Sequence, residues 1–152
     1  VAKHGNTVLG FIFCSTGEDP EDKQKWIELE NASPITAKKL LSPKDFEGYE
    51  AAGTVESNLI RKYWNEGVKI PKWEITLFCV SPAAQGKGVG GMLFSYMLNF
   101  LKEQGAKHCF LATDDDCDIS FYQHKGLVCK DEAPVKANGQ DFGFAYIYAG
   151  DF

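Results

Sequence analysis

With 152 residues, 44% of them hydrophobic and 24% charged, the chain has the balance of one globular domain, long enough to bury about two-thirds of its unfolded surface. A net charge of -5 with no Lys/Arg cluster excludes nucleic acid as the expected partner, and no apolar run approaches the ~18 residues of a membrane span. Five scattered cysteines (Cys14, Cys79, Cys109, Cys117, Cys129) read as free thiols in a reducing cytoplasm, and no signal peptide is recognisable at the start.

Thr7 to Cys14 (TVLGFIFC) reads as a strand, and Ser15 to Asp22 as a turn-rich acidic connection. Lys25 to Glu30 (KWIELE) alternates loosely and is expected to return as the second strand of a hairpin. Ser33-Pro34 and Ser42-Pro43 each have the form of a helix N-cap followed by proline at the first helical position. They lead into Ile35 to Leu41 and Lys44 to Tyr49. Glu56 to Asn65 carries Leu59, Ile60, Tyr63 and Trp64 on one stripe, with Gly67 as its expected end. A helical insertion over residues 32–68 is therefore expected, longer than ordinary loops between strands.

Ile75 to Val80 (ITLFCV) is short, apolar and β-branched or aromatic, which suits a buried strand. Gln85-Gly86-Lys87-Gly88-Val89-Gly90-Gly91 then feeds a helix, Gly90 to Gln104, that is apolar over a broad surface and closed by Gly105. His108 to Thr113 is a further strand. Of the carboxylates Asp114, Asp115, Asp116 and Asp118, three are expected to cap or charge the start of a helix from Ile119 to His124. Leu127 to Lys130 reads as a strand, the stretch through Gly139 as a polar loop, and Phe142 to Tyr148 as the last strand. If that last strand were exposed, it could pair between two copies to give a homodimer. There is no CxxC or HExxH, and the three histidines lack ligand spacing, so no metal is expected.

A glycine turn that opens a helix leaves amide N–H groups unpaired at the positive end of the helix dipole, which makes a seat for phosphate. Three phosphate ligands compete for it. A Walker loop requires Ser or Thr after Gly-Lys, and Gly88 stands there. The dinucleotide pattern GxGxxG is present as Gly86, Gly88 and Gly91, with Asp114 downstream. However, Ser81 to Gln85 separate the strand from the first glycine, and too little chain follows for a doubly wound sheet. The third ligand is an acyl-CoA.

Val80-Ser81-Pro82 followed by Gln85-Gly86-Lys87-Gly88-Val89-Gly90 resembles the acetyl-CoA motif of the GNAT superfamily of N-acetyltransferases. Phe121-Tyr122-Gln123-His124-Lys125-Gly126-Leu127 is similar to the family's second signature. The resemblance implies a three-layer α/β sandwich around a mixed, mainly antiparallel sheet, splayed at an acetyl-CoA cleft and forming a single domain over 1–152. Members usually carry a strand and two helices before the first strand seen here. The resemblance therefore implies either further N-terminal chain or a substrate wall built differently, with the 32–68 helices on the substrate side.

It also implies roles for individual residues. Amides around Phe78, Cys79 and Val80 would polarise the acetyl carbonyl, while Gln85, Gly86, Gly88, Val89 and Gly90 would seat the pyrophosphate with Lys87 at the rim. Tyr122 would protonate the departing CoA sulfur, and Glu74 would serve as base. Strand alternation places Glu74 on the face of Thr76, Phe78 and Val80. Cys79 within an apolar strand is ordinary packing rather than an acyl carrier, and His124, two residues from Tyr122, is a surface residue. The expected activity is direct acetyl transfer from acetyl-CoA to a primary amine of a small molecule or peptide in a ternary complex. The acidic charge points mildly to a cationic acceptor. A non-catalytic acyl-CoA-binding or sensing module is the alternative, and a nucleotide-dependent oxidoreductase a distant third.

Overall fold

The computed structural model describes residues 1–18, 21, 23–64 and 72–151, with the backbone alone at 23, 26 and 30. A hairpin of β1 (Ala2–His4) and β2 (Thr7–Thr16) precedes two helices, α1 (Lys23–Leu40) and α2 (Pro43–Trp64). β3 (Lys72–Val80), α3 (Val89–Glu103), β4 (His108–Asp114), α4 (Ile119–His124), β5 (Val128–Ala137) and β6 (Gln140–Asp151) follow. The strands form one open sheet in the order β1-β2-β3-β4-β6-β5. Its neighbours are antiparallel except β3 and β4.

Helices cover both faces, which makes the three layers. On one face, Leu93, Phe94, Met97 and Leu101 of α3 pack with Ile12, Ile75, Leu111 and Tyr148. On the other, Leu59 of α2 packs on Phe110, Val135 and Ile147. Gly48 lets α2 approach β6, because a Cβ there would lie 2.7 Å from the Phe142 ring. Phe94 is fully buried, and its ring centroid lies 5.9, 5.4 and 6.2 Å from those of Phe78, Phe121 and Tyr122. One aromatic cluster thus ties α3 and α4 to the end of β3. Phe94→Ala is expected to cost about 3–5 kcal/mol in urea denaturation. A loss below about 1 kcal/mol would show that the cluster is not the keystone of this layer.

Ser42 caps α2: its Oγ accepts from the Asp45 amide at 3.2 Å and donates to the Asp45 carboxylate at 2.6 Å. The two helical pieces expected at 44–49 and 56–65 are one helix, since residues 50–55 continue the stripe with Ala51, Ala52 and Val55 against the sheet. Its expected end at Gly67 lies outside the described residues.

Four expectations are corrected. Lys25 to Glu30 is not a strand but part of α1, so the helical segment begins at Lys23. The Lys, Gln, Glu, Leu and Ala content of residues 23–40 favours helix, and the brief alternation of KWIELE fits no sheet edge here. Ser33-Pro34 does not start a helix, because Pro34 lies inside α1. Residues 131–137 are not a loop but the continuation of β5, turned into β6 by Asn138 and Gly139, both at positive φ. Asn-Gly is the residue pair that a tight two-residue hairpin favours. Finally, β6 is not an edge strand: from Ala145 to Ala149 it is bonded to β4 on one side and β5 on the other, so that length has no free edge to offer a second copy. β5 is the edge instead, blunted by Pro134 and bulges.

Candidate functional site

The site begins where the sheet comes apart. β3 and β4 share one paired position, Glu74 with Phe110. Beyond it, Phe78, Cys79 and Val80 line a cleft of about 550 Å³ instead of continuing the ladder. β3 is also bulged. Phe13 pairs with Leu77 and Cys14 with Ile75, which leaves Thr76 as the extra residue, and Trp73 sits at φ 65°. The bulge overturns the alternation read from sequence. Ile75, Phe78 and Val80 face α3, whereas Glu74 shares the α2 face with Leu77, Cys79 and Phe110.

Glu74 therefore stands at the point where the strands part, on the side opposite α3. Burial, and then the negative charge of Glu56, push its carboxyl up to about 7. Burial and then Asp114 push Glu56 up as well. A second hollow, of about 750 Å³, opens on the α1 and α2 side, with Glu50, Glu56, Arg61 and Asp114 in its walls. Ser33 of α1 and Tyr49 of α2 hydrogen-bond across it at 3.2 Å.

After β3, the Ser81 amide donates to the Leu9 carbonyl at 2.8 Å, and Pro82–Ala84 make a tight turn. Gly86 and Gly88 then take φ of 71° and 80°, a region costly to side-chain-bearing residues. Gly88 caps α3. Among the described residues no backbone carbonyl accepts from the amides of Gly86 to Gly91. These N–H groups are the unpaired donors of a helix start, and Gln85, Gly86, Gly88 and Gly90 line the cleft. Gly90 also packs closely, since a Cβ there would lie 3.5 Å from both Phe78 and Val80. Two side chains of this loop do not reach the cleft. The Lys87 ammonium donates to the Ala83 carbonyl at 2.8 Å, and Val89, the first residue of α3, is buried in the core.

The opposite wall comes from residues 116–122. Asp118 caps α4, accepting from the Phe121 amide at 3.3 Å and the Ser120 hydroxyl at 2.5 Å. Asp114 accepts from the Asp116 amide at 3.1 Å. Asp115 accepts from the Phe144 amide at 2.8 Å and the Tyr146 hydroxyl at 2.6 Å, tying this wall to β6. Of these carboxylates only Asp118 caps a helix. Tyr122 lines the cleft while being 92% enclosed (8% exposed), and burial pushes its phenol up to about 12. The exposed His124 ring bonds the Ser120 carbonyl through Nδ1 at 2.7 Å, clear of the cleft.

Sequence reasoning missed the tie of Asp115 to β6, the Glu56–Asp114 pair and Gly143. Gly143 has φ 89° and lies against the Asp115 carboxylate, which a Cβ would meet at 2.6 Å. A glycine flanked by Phe142 and Phe144 inside the last strand was the available signal for such close approach. No helix among the described residues is long and apolar enough to cross a membrane, and no three metal-ligating side chains gather there.

A search of curated proteins found no significant match. Among solved structures, the chain resembles a GNAT acetyltransferase from Elizabethkingia anophelis with acetyl-CoA bound, at 20% identity, 52% of this chain, 60% of that one and a TM-score of 0.44. It resembles Ard1 from Thermoplasma volcanium at 26% identity, 51% of this chain, 53% of that one and a TM-score of 0.44. A GCN5-related N-acetyltransferase from Rhodopseudomonas palustris aligns at 19% identity over 97% of this chain and 100% of its own, with a TM-score of 0.47. The match thus spans less than two-thirds of the first two chains. The model of the acetyltransferase (GNAT) family matches residues 1–127, from the first hairpin to the end of the second signature, and the chain belongs to that family.

Proposed function

We propose that this protein is an acetyl-CoA-dependent N-acetyltransferase, which moves the acetyl group to a primary amine by direct attack in a ternary complex. The observation that carries the reading is a continuous surface. The unpaired edge of β3 at Phe78 to Val80 runs into the free amides of Gly86 to Gly91, and Tyr122 faces both across one cleft.

In this reading, the amides at the start of α3 hold the pyrophosphate, with the helix dipole behind them. The edge of β3 takes the pantetheine arm as a neighbouring strand would lie. Amide N–H groups around Phe78, Cys79 and Val80 donate to the acetyl oxygen as it gains negative charge. The amine approaches from the α2 side, through the gap above Glu74, where Glu50, Glu56 and Asp114 favour a cationic small molecule or peptide terminus. Glu74, directly or through a water, takes the proton from the nitrogen. A carboxyl titrating near 7 is matched to that work at neutral pH.

Tyr122 faces the departing sulfur. A phenol held near 12 stays protonated at every physiological pH, so it is always ready as a donor. It is also a weaker acid than a thiol, and it therefore serves first by hydrogen-bonding the thiolate. Tyr122→Phe is expected to lower kcat roughly 10- to 100-fold with the KM for acetyl-CoA nearly unchanged. The test is calorimetric titration with acetyl-CoA, with NADH and ATP as controls, followed by CoA release in the presence of a panel of amines. Binding of acetyl-CoA without amine-dependent CoA release would favour a non-catalytic sensing module; tighter binding of NADH would overturn the reading.

A further inference from the structure

We propose that Thr113 is a positioning residue for the Tyr122 phenol, its buried hydroxyl stabilising the phenol oxygen as the phenol proton shifts toward the sulfur. The inference rests on the reading of Tyr122 as the donor. Thr113 is the next-to-last residue of β4, on the face that carries Cys109 and Leu111 into the core beside Tyr122. It is 4% exposed, and its Oγ1 is fully enclosed yet has no hydrogen-bond partner among the described residues. A buried, unsatisfied hydroxyl destabilises a fold, and valine has the same shape without that cost. Packing therefore gives no reason for threonine here.

The groups that its hydroxyl does influence are both on the wall of the cleft: the Tyr122 phenol and the Cys117 thiol. It favours the charged form of each. For the phenol this opposes the effect of burial, and it brings the donor closer in acidity to the thiol it serves. The step balances simply. The Tyr122 O–H bond yields its proton to the sulfur as the sulfur–acyl bond breaks, the Thr113 hydroxyl donates to the phenol oxygen and keeps its own proton, and solvent returns a proton to Tyr122. The hydroxyl is unpartnered at rest and bonds the phenol oxygen only as charge develops there, so it acts on the transition state rather than on binding.

Thr113→Val is expected to lower kcat about five- to tenfold with KM for acetyl-CoA unchanged, while Thr113→Ser keeps kcat within about twofold. Thr113→Val without ligand is expected to melt at or above the temperature of the unchanged protein. In a Tyr122→Phe background it is expected to cause no further loss of kcat. Full kcat in Thr113→Val, losses that multiply in the double variant, or a variant that fails to fold or melts markedly lower would each overturn the proposal. If Tyr122→Phe itself keeps full kcat, the donor reading of Tyr122 fails and this proposal goes with it. If only Tyr122→Phe loses activity, Thr113 alone is misassigned.

Discussion

Gly88→Glu is expected to weaken acetyl-CoA binding by at least about 100-fold in calorimetric titration while the far-ultraviolet circular dichroism stays unchanged. Nothing lies within 4 Å of a Cβ built on Gly88, so the new side chain would project into the open cleft and not into the core. Two effects add. At φ 80° a side chain costs roughly 1–2 kcal/mol, which loosens the turn that aims the amides. The larger effect is charge: if these amides hold the pyrophosphate as proposed, a carboxylate among them repels it and occupies its hydrogen bonds, and about 2.7 kcal/mol is enough for 100-fold. Gly88→Ala carries only the backbone cost, so it separates the two and is expected to lose no more than about tenfold. Unchanged affinity in Gly88→Glu would mean that the ligand does not use this turn.

Glu74→Gln is expected to lower kcat/KM on the order of 100-fold at neutral pH and to erase the limb of the pH–rate profile centred near 7. Its effect on stability runs the other way. The carboxyl is raised from 4.5 to about 7 in the folded protein, first by burial and then by Glu56. Between those values the unfolded chain has released the proton while the folded chain retains it. Stability therefore falls as pH rises through that window, and the full penalty persists above 7. Glu74 is only partly enclosed, so solvent screening reduces the penalty to about 1–2 kcal/mol. Glu74→Gln is thus expected to be more stable than the unchanged protein by that amount at pH 8 and equally stable at pH 4, by urea denaturation. A variant that is both fully active and no more stable at pH 8 would remove Glu74 from the reaction and from the buried carboxylate group together.

The glycine turn, the helix after it, the strands on either side and the short helix with Tyr122 were legible in the linear chain. Each is specified by neighbours a few residues apart: glycines where φ is positive, a broad apolar stripe on residues 89–103, and Asp118 three residues before the amide it caps. Lys25 to Glu30 was not legible, because a short alternating run suits strand or helix equally, and only the continuation of α1 through residue 40 decides it. Nor was the length of β5, whose polar sequence becomes a strand because Asn138-Gly139 folds it back onto β6.

The face that Glu74 occupies was decided by tertiary structure alone. Period-two alternation assumes an unbroken ladder, and the extra residue at Thr76 reverses the side chains of Ile75 and Glu74. The parting of β3 from β4 after one pair, the carboxylates of Glu56 and Asp114 gathered on the α2 side, and the orphaned hydroxyl of Thr113 likewise join residues distant in sequence. Local chemistry determined which turn could receive an anion; long-range pairing and burial determined which groups stand around it and how they hold their protons.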